Sequence, residues 1–275
     1  MPDMPLLFGT AGVPHASKDR STAGGVKTIS ELGLDAMEVQ FVRGVKMGET
    51  KAREVATMSE ALGVALSVHA PYYVNLNSED KFEDSVKRIV DSVRIGSIFN
   101  ARSIVFHAAY YQKSSKERVY ERVRKGIAKV LEYMEQHGIK TILRSETTGK
   151  ATQFGELDEL LRLSQELENV MPCVDFAHIH ARYRRYNSYD EFCEILSKVE
   201  DVLGKEALKN MHMHVSGIDY GLKGEKAHLN LEESDFKYVE LLKALKDFGV
   251  EGILICESPN LEEDAMLLKK TYQSL

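Results

Sequence analysis

The sequence predicts an α/β fold in which buried parallel strands alternate with amphipathic helices around one closed barrel. Eight short apolar, β-rich runs are separated by longer charged segments in which apolar residues recur at helical spacing. The length of 275 residues is close to the roughly 250 that are typical of an eight-fold β/α barrel. No linker rich in Pro or Ser and no low-complexity tract interrupts this alternation. We therefore expect a single-domain (β/α)8 TIM barrel that comprises residues 1–275.

The eight predicted strands are short apolar runs that follow one another along the whole chain. They lie near Leu6–Gly9, Ala36–Phe41, Val64–His69, Ser103–His107, Thr141–Arg144, Met171–Asp175, Asn210–Val215 and Gly252–Cys256. Continuous apolar runs of about four to eight residues are typical of strands buried in the core of a parallel sheet.

The predicted helices lie between these runs. In Ser85–Ile98 and in Glu117–Met134 the apolar residues line one helical face. Gly63, Gly138 and Gly249 each follow such a periodic segment and precede an apolar run. Glycine in this position is the usual C-terminal stop of a helix, so the glycines support the alternation of helix and strand.

The composition limits the classes of function that are open to the chain. Its formal net charge is −6, so binding of a nucleic acid requires a local basic surface or bound metal ions. Its three cysteines are widely spaced, which predicts reduced thiols, with Cys173 and Cys256 packed inside strands. No apolar stretch approaches the ~20 residues that span a bilayer, and the N-terminus lacks the order of a signal peptide. We expect a cytoplasmic protein without membrane contact and without an obligate protein partner.

Side chains that bind metals stand at the C-terminal ends of the predicted strands. The segments are LSVHAP (His69), SIVFHA (His107), TILRSE (Glu146), PCVDFAH (Asp175 and His178), MHMHVSG (His212 and His214) and ILICES (Glu257). The C-terminal ends of the strands of a β/α barrel converge on one mouth, where such enzymes keep their chemistry. Imidazoles and carboxylates are ligands of zinc, with manganese as a harder alternative. The set therefore predicts a site for several metal ions.

Electrostatics supports the same prediction. A single strand-end residue has an ordinary explanation, and Asp175 could serve only to cap the helix that follows it. Glu146, Asp175 and Glu257 together would repel one another at one mouth unless cations were bound between them. Bound divalent metals remove that repulsion.

The order of these motifs resembles that of the endonuclease IV family of DNA-repair enzymes, which lies within the xylose isomerase-like TIM barrel superfamily. HAPYYVNL, FHAAYY, VDFAH, MHVSG and CESP follow one another at family-like spacing from end to end of the chain. The resemblance implies two or three zinc ions, with manganese as an alternative. It also implies hydrolysis of double-stranded DNA on the 5′ side of abasic sites in base excision repair.

The resemblance also implies roles for individual residues. The implied ligands are His69, His107 and Glu146 for a first zinc, Glu146, Asp175, His214 and Glu257 for a second, and His178 and His228 for a third. Glu146 and Glu257 are the implied catalytic carboxylates, and Glu146 bridges two ions and positions the nucleophile. The family has an Asp two residues before the last histidine, whereas position 226 here is Lys. Glu225 is the candidate that could replace that Asp, from one residue further back.

DNA contacts are expected from loops around the mouth. Tyr72 and Tyr73 follow His69 directly and are candidates to fill the gap that a flipped-out abasic nucleotide leaves in the duplex, or they pack over the barrel rim. The stretch HARYRRYN places three arginines among tyrosines, a mixture that suits phosphate contact and stacking or a solvated loop. Its arginines are Arg182, Arg184 and Arg185. Arg43 and Lys46 form a weaker basic pair after the second strand.

Two histidines fall outside the ligand pattern of the family. His212 precedes His214 by two residues and shares its face of the strand, so we expect it one layer deeper in the barrel, as a partner of a metal ligand. His180 is expected to face solvent or substrate.

Two other functions stay open. A sugar or sugar-phosphate isomerase or epimerase on the same barrel would hold one metal with Glu146, Asp175, His214 and Glu257, and two of these would move protons on sugar carbons. The extra imidazoles of His107 and His228, with those of His69 and His178, favour the endonuclease, because a one-metal epimerase has little need for them. The second alternative is a non-catalytic, metal-stabilised protein that binds damaged DNA or a sugar phosphate.

Overall fold

Eight parallel strands form a closed barrel in the computed structural model, which describes residues 6–275. The strands are β1 (Leu6–Ala11), β2 (Ala36–Gln40), β3 (Ala65–His69), β4 (Ser103–Phe106), β5 (Ile142–Glu146), β6 (Val170–Asp175), β7 (Met211–Val215) and β10 (Gly252–Cys256). Around the barrel their order is β1-β10-β7-β6-β5-β4-β3-β2, and every pairing between neighbours is parallel. The predicted α/β class and (β/α)8 TIM barrel are confirmed.

Helices connect the strands on the outside of the barrel. They are α1 (Thr22–Glu31), α2 (Glu49–Leu62), α3 (Phe82–Ile98), α4 (Lys116–Gln136), α5 (Leu157–Glu166), α6 (Phe176–Tyr183), α7 (Tyr189–Leu203), α8 (Lys205–Leu208), α9 (Tyr238–Asp247) and α10 (Glu262–Ser274), with a 3-10 turn at Leu231–Glu233. Gly63, Gly138 and Gly249 follow α2, α4 and α9 with φ of 67°, 64° and 59°, as expected of helix stops. Within residues 6–275 no helix is long and apolar enough to cross a membrane.

The helices bury the faces that their apolar spacing predicts. On α4, Val123, Ile127 and Val130 are completely buried and belong to the main hydrophobic cluster, which also contains residues of β4 and β5. Ser115 begins this helix, and its hydroxyl accepts a hydrogen bond from the backbone N–H of Arg118. The apolar stripe thus fixes the helix against the barrel, and the barrel fixes the directions of the strand ends.

An antiparallel hairpin, which the sequence did not predict, extends from the end of β7. It consists of β8 (Gly217–Gly221) and β9 (Gly224–Leu229). Ile218 of this hairpin packs against Ala177 and Ala181, so the hairpin is docked on α6. The small alanine side chains allow this close approach, which holds β9 beside the barrel mouth.

Arg144 closes the opposite, N-terminal end of the barrel. The side chain is completely buried, and burial lowers its pKa to about 10. Its Nε donates to Ser103 Oγ at 2.8 Å, Nη1 to the carbonyl of Pro172 at 2.9 Å and Nη2 to the carbonyl of Asn210 at 2.7 Å. One guanidinium therefore satisfies acceptors on three segments of the barrel wall.

The change Arg144→Met should lower the free energy of unfolding by about 3 kcal/mol, because it leaves buried carbonyl groups without donors. Urea unfolding measures this decrease. The matched change Arg53→Met, at an exposed arginine of α2 paired with Glu49, should cost less than about 1 kcal/mol. Equal effects of the two changes would contradict the role given to Arg144.

Candidate metal centre

The C-terminal mouth of the barrel brings all nine predicted metal-site residues together. Their donor atoms form three groups, within each of which the atoms lie within 4.8 Å of one another. The groups are His69, His107 and Glu146 (the first group), Glu146, Asp175, His214 and Glu257 (the second group), and His178, Glu225 and His228 (the third group). Each group contains imidazole and carboxylate donors, which suit zinc or manganese.

The first group is built on the ends of three neighbouring strands. His69 Nε2 and His107 Nε2 lie 3.2 and 3.0 Å from the same carboxylate oxygen, Glu146 Oε2. The other ring nitrogen of His69, Nδ1, is 2.7 Å from the carbonyl of Ala70. This bond fixes the ring orientation, since a neutral imidazole that donates through Nδ1 presents the lone pair of Nε2 to the site.

The second group contains buried donors that have no hydrogen-bond partner. His214 Nδ1 lies 3.4 Å from Glu146 Oε1 and 3.5 Å from Glu257 Oε1. Among the described residues, Glu146 Oε1, Asp175 Oδ2 and His214 Nδ1 are all buried and without a hydrogen bond. Leaving a buried polar atom unpaired costs about 1–3 kcal/mol, so three converging unpaired atoms of a metal-ligating kind fit a bound cation.

Asp175 caps a helix with one carboxylate oxygen and leaves the other oxygen in the second group. It ends β6, and its Oδ1 accepts a hydrogen bond from the backbone N–H of His178 at 2.7 Å, which caps α6. Its second oxygen, Oδ2, is the unpaired atom of the second group. The direct passage from strand to helix therefore places Asp175 and His178 in adjacent groups.

The third group joins α6 to the hairpin. His178 Nε2 lies 3.3 Å from His228 Nε2 and 3.7 Å from Glu225 Oε2. The Nδ1 atoms of these histidines contact backbone carbonyls, His178 that of Thr147 at 3.1 Å and His228 that of Glu257 at 3.2 Å. With both Nδ1 atoms donating, two Nε2 lone pairs face each other, an arrangement that a cation between them stabilises.

A β-bulge explains how Glu225 reaches this group. Asp219 pairs with Ala227, whereas the next residue, Tyr220, pairs with Glu225, so Lys226 is an additional residue in β9. In a regular strand, residues three apart point to opposite faces. The bulge removes that difference, and Glu225 lies where an acid two residues before His228 would lie on a regular strand.

Close backbone packing fixes Glu225 from the other side. The Glu225 N–H donates to the carbonyl of Gly149 at 3.0 Å. A Cβ atom at Gly149 would lie 2.6 Å from Glu225 Cβ, and one at Gly224, where φ is +91°, would lie 2.1 Å from the Gly149 carbonyl oxygen. The absence of a side chain at both glycines permits this approach of the hairpin to the loop after β5.

Burial and neighbouring charges shift the pKa values of two carboxyl groups of the centre in opposite directions. Burial disfavours an ionised Glu146, but the charges of His107 and His214 outweigh it and hold the pKa of Glu146 well below its usual range. For Asp175 the balance is reversed, because burial and the negative charges of Glu146 and Glu257 raise its pKa. Carboxylates that repel one another in a buried site fit bound divalent cations, as predicted from the sequence.

An open cavity of about 650 Å³ gives access to donors of all three groups. The donors that line it are His69, His107, His178, Glu225, His228 and Glu257. Tyr72 stands at its edge, with its ring centroid 5.4 Å from that of His69, and is 49% exposed. Tyr73 is 59% exposed beside it. Both tyrosines are thus accessible from outside the mouth.

A second cavity, of about 600 Å³, adjoins the first and has a basic rim. The two share Gly12, Val13, Arg20, Gln40 and Val42 in their walls. We call the cations Arg20, Arg43, Lys46 and Lys51 that line the second cavity the basic rim. Across residues 6–275, no ion pair to Arg43, Lys46 or Lys51 is formed, so these charges are open to an anionic ligand.

The arginines of HARYRRYN lie less favourably for DNA than predicted. The structure does not support a phosphate contact by Arg182, whose side chain is 2% exposed and bonded to the carbonyls of Lys150 and Gln153 and to Glu156. Arg185 is half exposed but pairs with two glutamates of α7. Arg184 is exposed and ends α6 in the left-handed conformation, with φ of 51°.

Two further histidines are buried: His212 lies one layer deeper in the barrel than His214, as predicted, and His180 does not face solvent or substrate. His212 is buried, and its Nε2 lies 2.9 Å from Glu38 Oε2, inside the barrel below His214. The prediction for His180 is wrong, because this side chain is 4% exposed, with Nδ1 3.0 Å from the carbonyl of Arg185 and Nε2 near Asp235. It ties α6 to the chain beyond the hairpin instead of facing solvent or substrate.

Glu38, which was not predicted from the sequence as part of the site, is completely buried on β2. A charged residue in the apolar run AMEVQF was the available signal, since a charge is almost never fully buried without partners. Cys173, His212 and His214 also bring donor atoms within 4.8 Å, but they lie inside the barrel, where both imidazoles already contact Glu38.

Two relatives are similar to this chain over most of its length. An uncharacterized protein of Methanocaldococcus jannaschii is 49% identical over 273 residues, which is 98% of each chain. A protein of Mycoplasma mobile described as a probable endonuclease 4 is 26% identical over 251 residues, or 87% of each chain.

Solved structures of two kinds share the fold. Endonuclease IV of Thermus thermophilus superposes with a TM-score of 0.72 at 21% identity, covering 96% of this chain and 98% of the other. A D-tagatose 3-epimerase-like protein superposes with a TM-score of 0.74 at 18% identity, covering 96% of each. The resemblance to endonuclease IV noted from the motifs is therefore confirmed, and the fold is shared with epimerases. Residues 26–273 match the xylose isomerase-like TIM barrel family, and the chain belongs to that family.

Proposed function

We propose that this protein is a zinc-dependent apurinic/apyrimidinic endonuclease that hydrolyses the phosphodiester 5′ to an abasic site in double-stranded DNA. The observation that carries the proposal is the presence of three adjacent donor groups at one open mouth. The imidazoles of His69, His107, His178 and His228 exceed what a single metal needs, and all four line the cavity. The similarity to a probable endonuclease 4 supports the same reaction. A role in base excision repair and a cytoplasmic location stay predictions.

Bound zinc ions supply Lewis-acid stabilisation of phosphoryl oxygens and lower the pKa of water. The chain's own residues supply the geometry. Glu146 offers Oε2 to the first group and Oε1 to the second, so one rigid carboxylate sets the separation of the two. Glu257 lines the cavity and contacts His214, which places it between the buried donors and the substrate. Manganese is the alternative metal for the same donors.

DNA is proposed to approach along the basic rim, where Arg43, Lys46 and Lys51 offer local positive charge despite the net charge of −6. Tyr72 and Tyr73 are exposed at the mouth, where a bulky side chain can occupy the space that a flipped nucleotide leaves. Arg184 is a further candidate phosphate contact, whereas Arg182 is omitted from the proposed interface.

The second candidate function is a sugar or sugar-phosphate isomerase or epimerase. It is favoured by the second group, Glu146, Asp175, His214 and Glu257, which is the set expected of a one-metal epimerase. The similarity in fold to a D-tagatose 3-epimerase-like protein agrees with it. The first and third groups have no assigned purpose in that reaction, which ranks it below the endonuclease. A non-catalytic metal-stabilised binding protein is the remaining alternative.

The proposed reaction is tested with a duplex oligonucleotide that carries one tetrahydrofuran abasic analogue, in the presence of zinc or manganese. Wild type should make a single cut 5′ to the lesion. Glu146→Gln should reduce the cleavage rate by more than about a hundredfold, because outer partners of a ligand alone cost 10–100-fold. Glu232→Gln, at an exposed glutamate, is the matched control and should cut normally. If wild-type protein that holds two or more metal ions makes no cut, the endonuclease proposal is wrong. Ketoses and sugar phosphates are then the substrates to assay.

The third group is tested by counting bound metal. We expect three zinc ions per wild-type chain and two in Glu225→Ala, because Glu225 completes the third group. Asp219→Ala removes an exposed carboxylate of the same hairpin and should leave three. Deletion of Lys226 should also leave three, since it removes the bulge and puts Glu225 two residues before His228. Three ions in Glu225→Ala would refute the assignment of this ligand.

The basic rim is tested by the salt dependence of DNA binding. Lys46→Glu should weaken binding to DNA of any sequence. It should also reduce the magnitude of the negative slope of log binding constant against log salt concentration by about one, because the variant neutralises one phosphate fewer. Lys125→Glu makes the same charge change on α4, on the flank of the barrel, and should leave the slope unaltered. Equal slopes for wild type and Lys46→Glu would argue against DNA lying over this rim.

A further inference from the structure

Glu38 is a completely buried carboxylate that belongs neither to the three donor groups nor to the lining of the mouth cavity. It lies in the middle of β2, on the face that it shares with Gln40. A buried charge costs several kcal/mol unless it is paired and hydrogen-bonded, so its retention here calls for a physical reason.

The carboxylate reaches across the barrel. Glu38 Oε2 lies 2.9 Å from His212 Nε2, and Oε1 lies 3.2 Å from His214 Nε2. Both histidines are on β7, which is not a neighbour of β2 in the sheet, so these contacts cross the barrel interior. Glu38 therefore connects a part of the barrel without metal donors to the histidine of the second group.

Two polar side chains orient the carboxylate. Ser67 Oγ donates to Oε2 at 3.0 Å, and Gln40 Nε2 donates to Oε1 at 3.2 Å. Each oxygen of Glu38 thus faces one imidazole and one further donor. With three hydrogen bonds and the His214 ring around it, the carboxylate has little freedom to rotate, and it acts only as an acceptor.

An acceptor at this position selects one arrangement of His214. His214 Nε2 lies 3.2 Å from Glu38 Oε1 without forming a hydrogen bond, and a carboxylate this close to Nε2 favours the tautomer that carries its hydrogen there, because a lone pair on Nε2 would face the negative oxygen. The lone pair available for a metal is then on Nδ1, the atom that faces Glu146 and Glu257 at 3.4 and 3.5 Å. This is the arrangement of carboxylate, histidine and metal in which the outer acid fixes the tautomer and raises the basicity of the ligand.

We propose that Glu38 is a positioning residue that holds His214 with Nδ1 directed into the second group, with His212 as a neighbour that shares the carboxylate. The inference rests on the proposed metal centre. It differs from a purely structural role, in which Glu38 would merely satisfy two buried imidazoles and the affinity for metal would not depend on it.

The test measures metal affinity and coordination, not cleavage. Glu38→Gln preserves the volume but replaces one acceptor oxygen by an N–H2 donor, so the side chain can no longer accept from both imidazoles. Competition with a zinc chelator should show one of the bound ions weakened about 10–100-fold. Glu232→Gln makes the same change at an exposed glutamate outside the barrel, is the matched control, and should keep the affinity for every ion within about threefold of wild type.

A second measurement uses the zinc-loaded wild-type protein and does not depend on the folding of a variant. In ¹⁵N-resolved NMR, His214 should show a slowly exchanging Nε2–H and no hydrogen on Nδ1. Zinc bound through Nε2, or a Glu38→Gln protein with wild-type affinity for every ion, overturns the inference. Failure to cleave abasic DNA by a protein that shows these zinc signatures would refute the endonuclease while supporting the role of Glu38.

Discussion

The mouth of this barrel depends on the carboxylate of Glu146. It is the last residue of β5 and is completely buried, and its two oxygens face different sets of imidazoles. Oε2 lies 3.2 and 3.0 Å from His69 and His107, and Oε1 lies 3.1 and 3.4 Å from His178 and His214. One side chain is thus in contact with histidines of all three donor groups. The barrel makes this possible because the strands on either side end at the same level.

Polar contacts continue from the mouth into the barrel interior, because alternate residues of a strand point to the same face. Residues two apart on β7 place His214 at the centre and His212 beneath it, and Glu38 contacts both from the opposite wall. Arg144 lies at the far end, where carbonyls accept its hydrogen bonds. The barrel interior therefore contains a buried polar network that extends from Arg144 to the second group, where Glu146 Oε1, Asp175 Oδ2 and His214 Nδ1 have no hydrogen-bond partner.

The sequence was sufficient to predict the barrel and the donors at its strand ends, because both follow from local periodicity. What it could not predict depends on long-range packing. Arg182 has the sequence context of a basic surface residue, yet its guanidinium is buried under the loop after β5. The place of Glu225 depends on a bulge, which no spacing rule reveals. Glu38 lies within an apolar run, but its partners are 174 and 176 residues further along the chain.

The barrel carries two of the donor groups, whereas the third group also needs the hairpin. This difference suggests which part of the site can change when function varies in the family. The donors of the first and second groups lie near the C-terminal ends of strands or, for His107 and Glu257, directly after β4 and β10, so the closed sheet itself fixes them. The third group instead needs β9, a bulge at Lys226 and two glycines that let the hairpin approach the loop after β5. A four-donor group on the barrel serves equally for proton transfer on a sugar or for phosphodiester hydrolysis. The reaction is consequently decided by what surrounds that group, and here the surroundings are additional imidazoles, two exposed tyrosines and a basic rim.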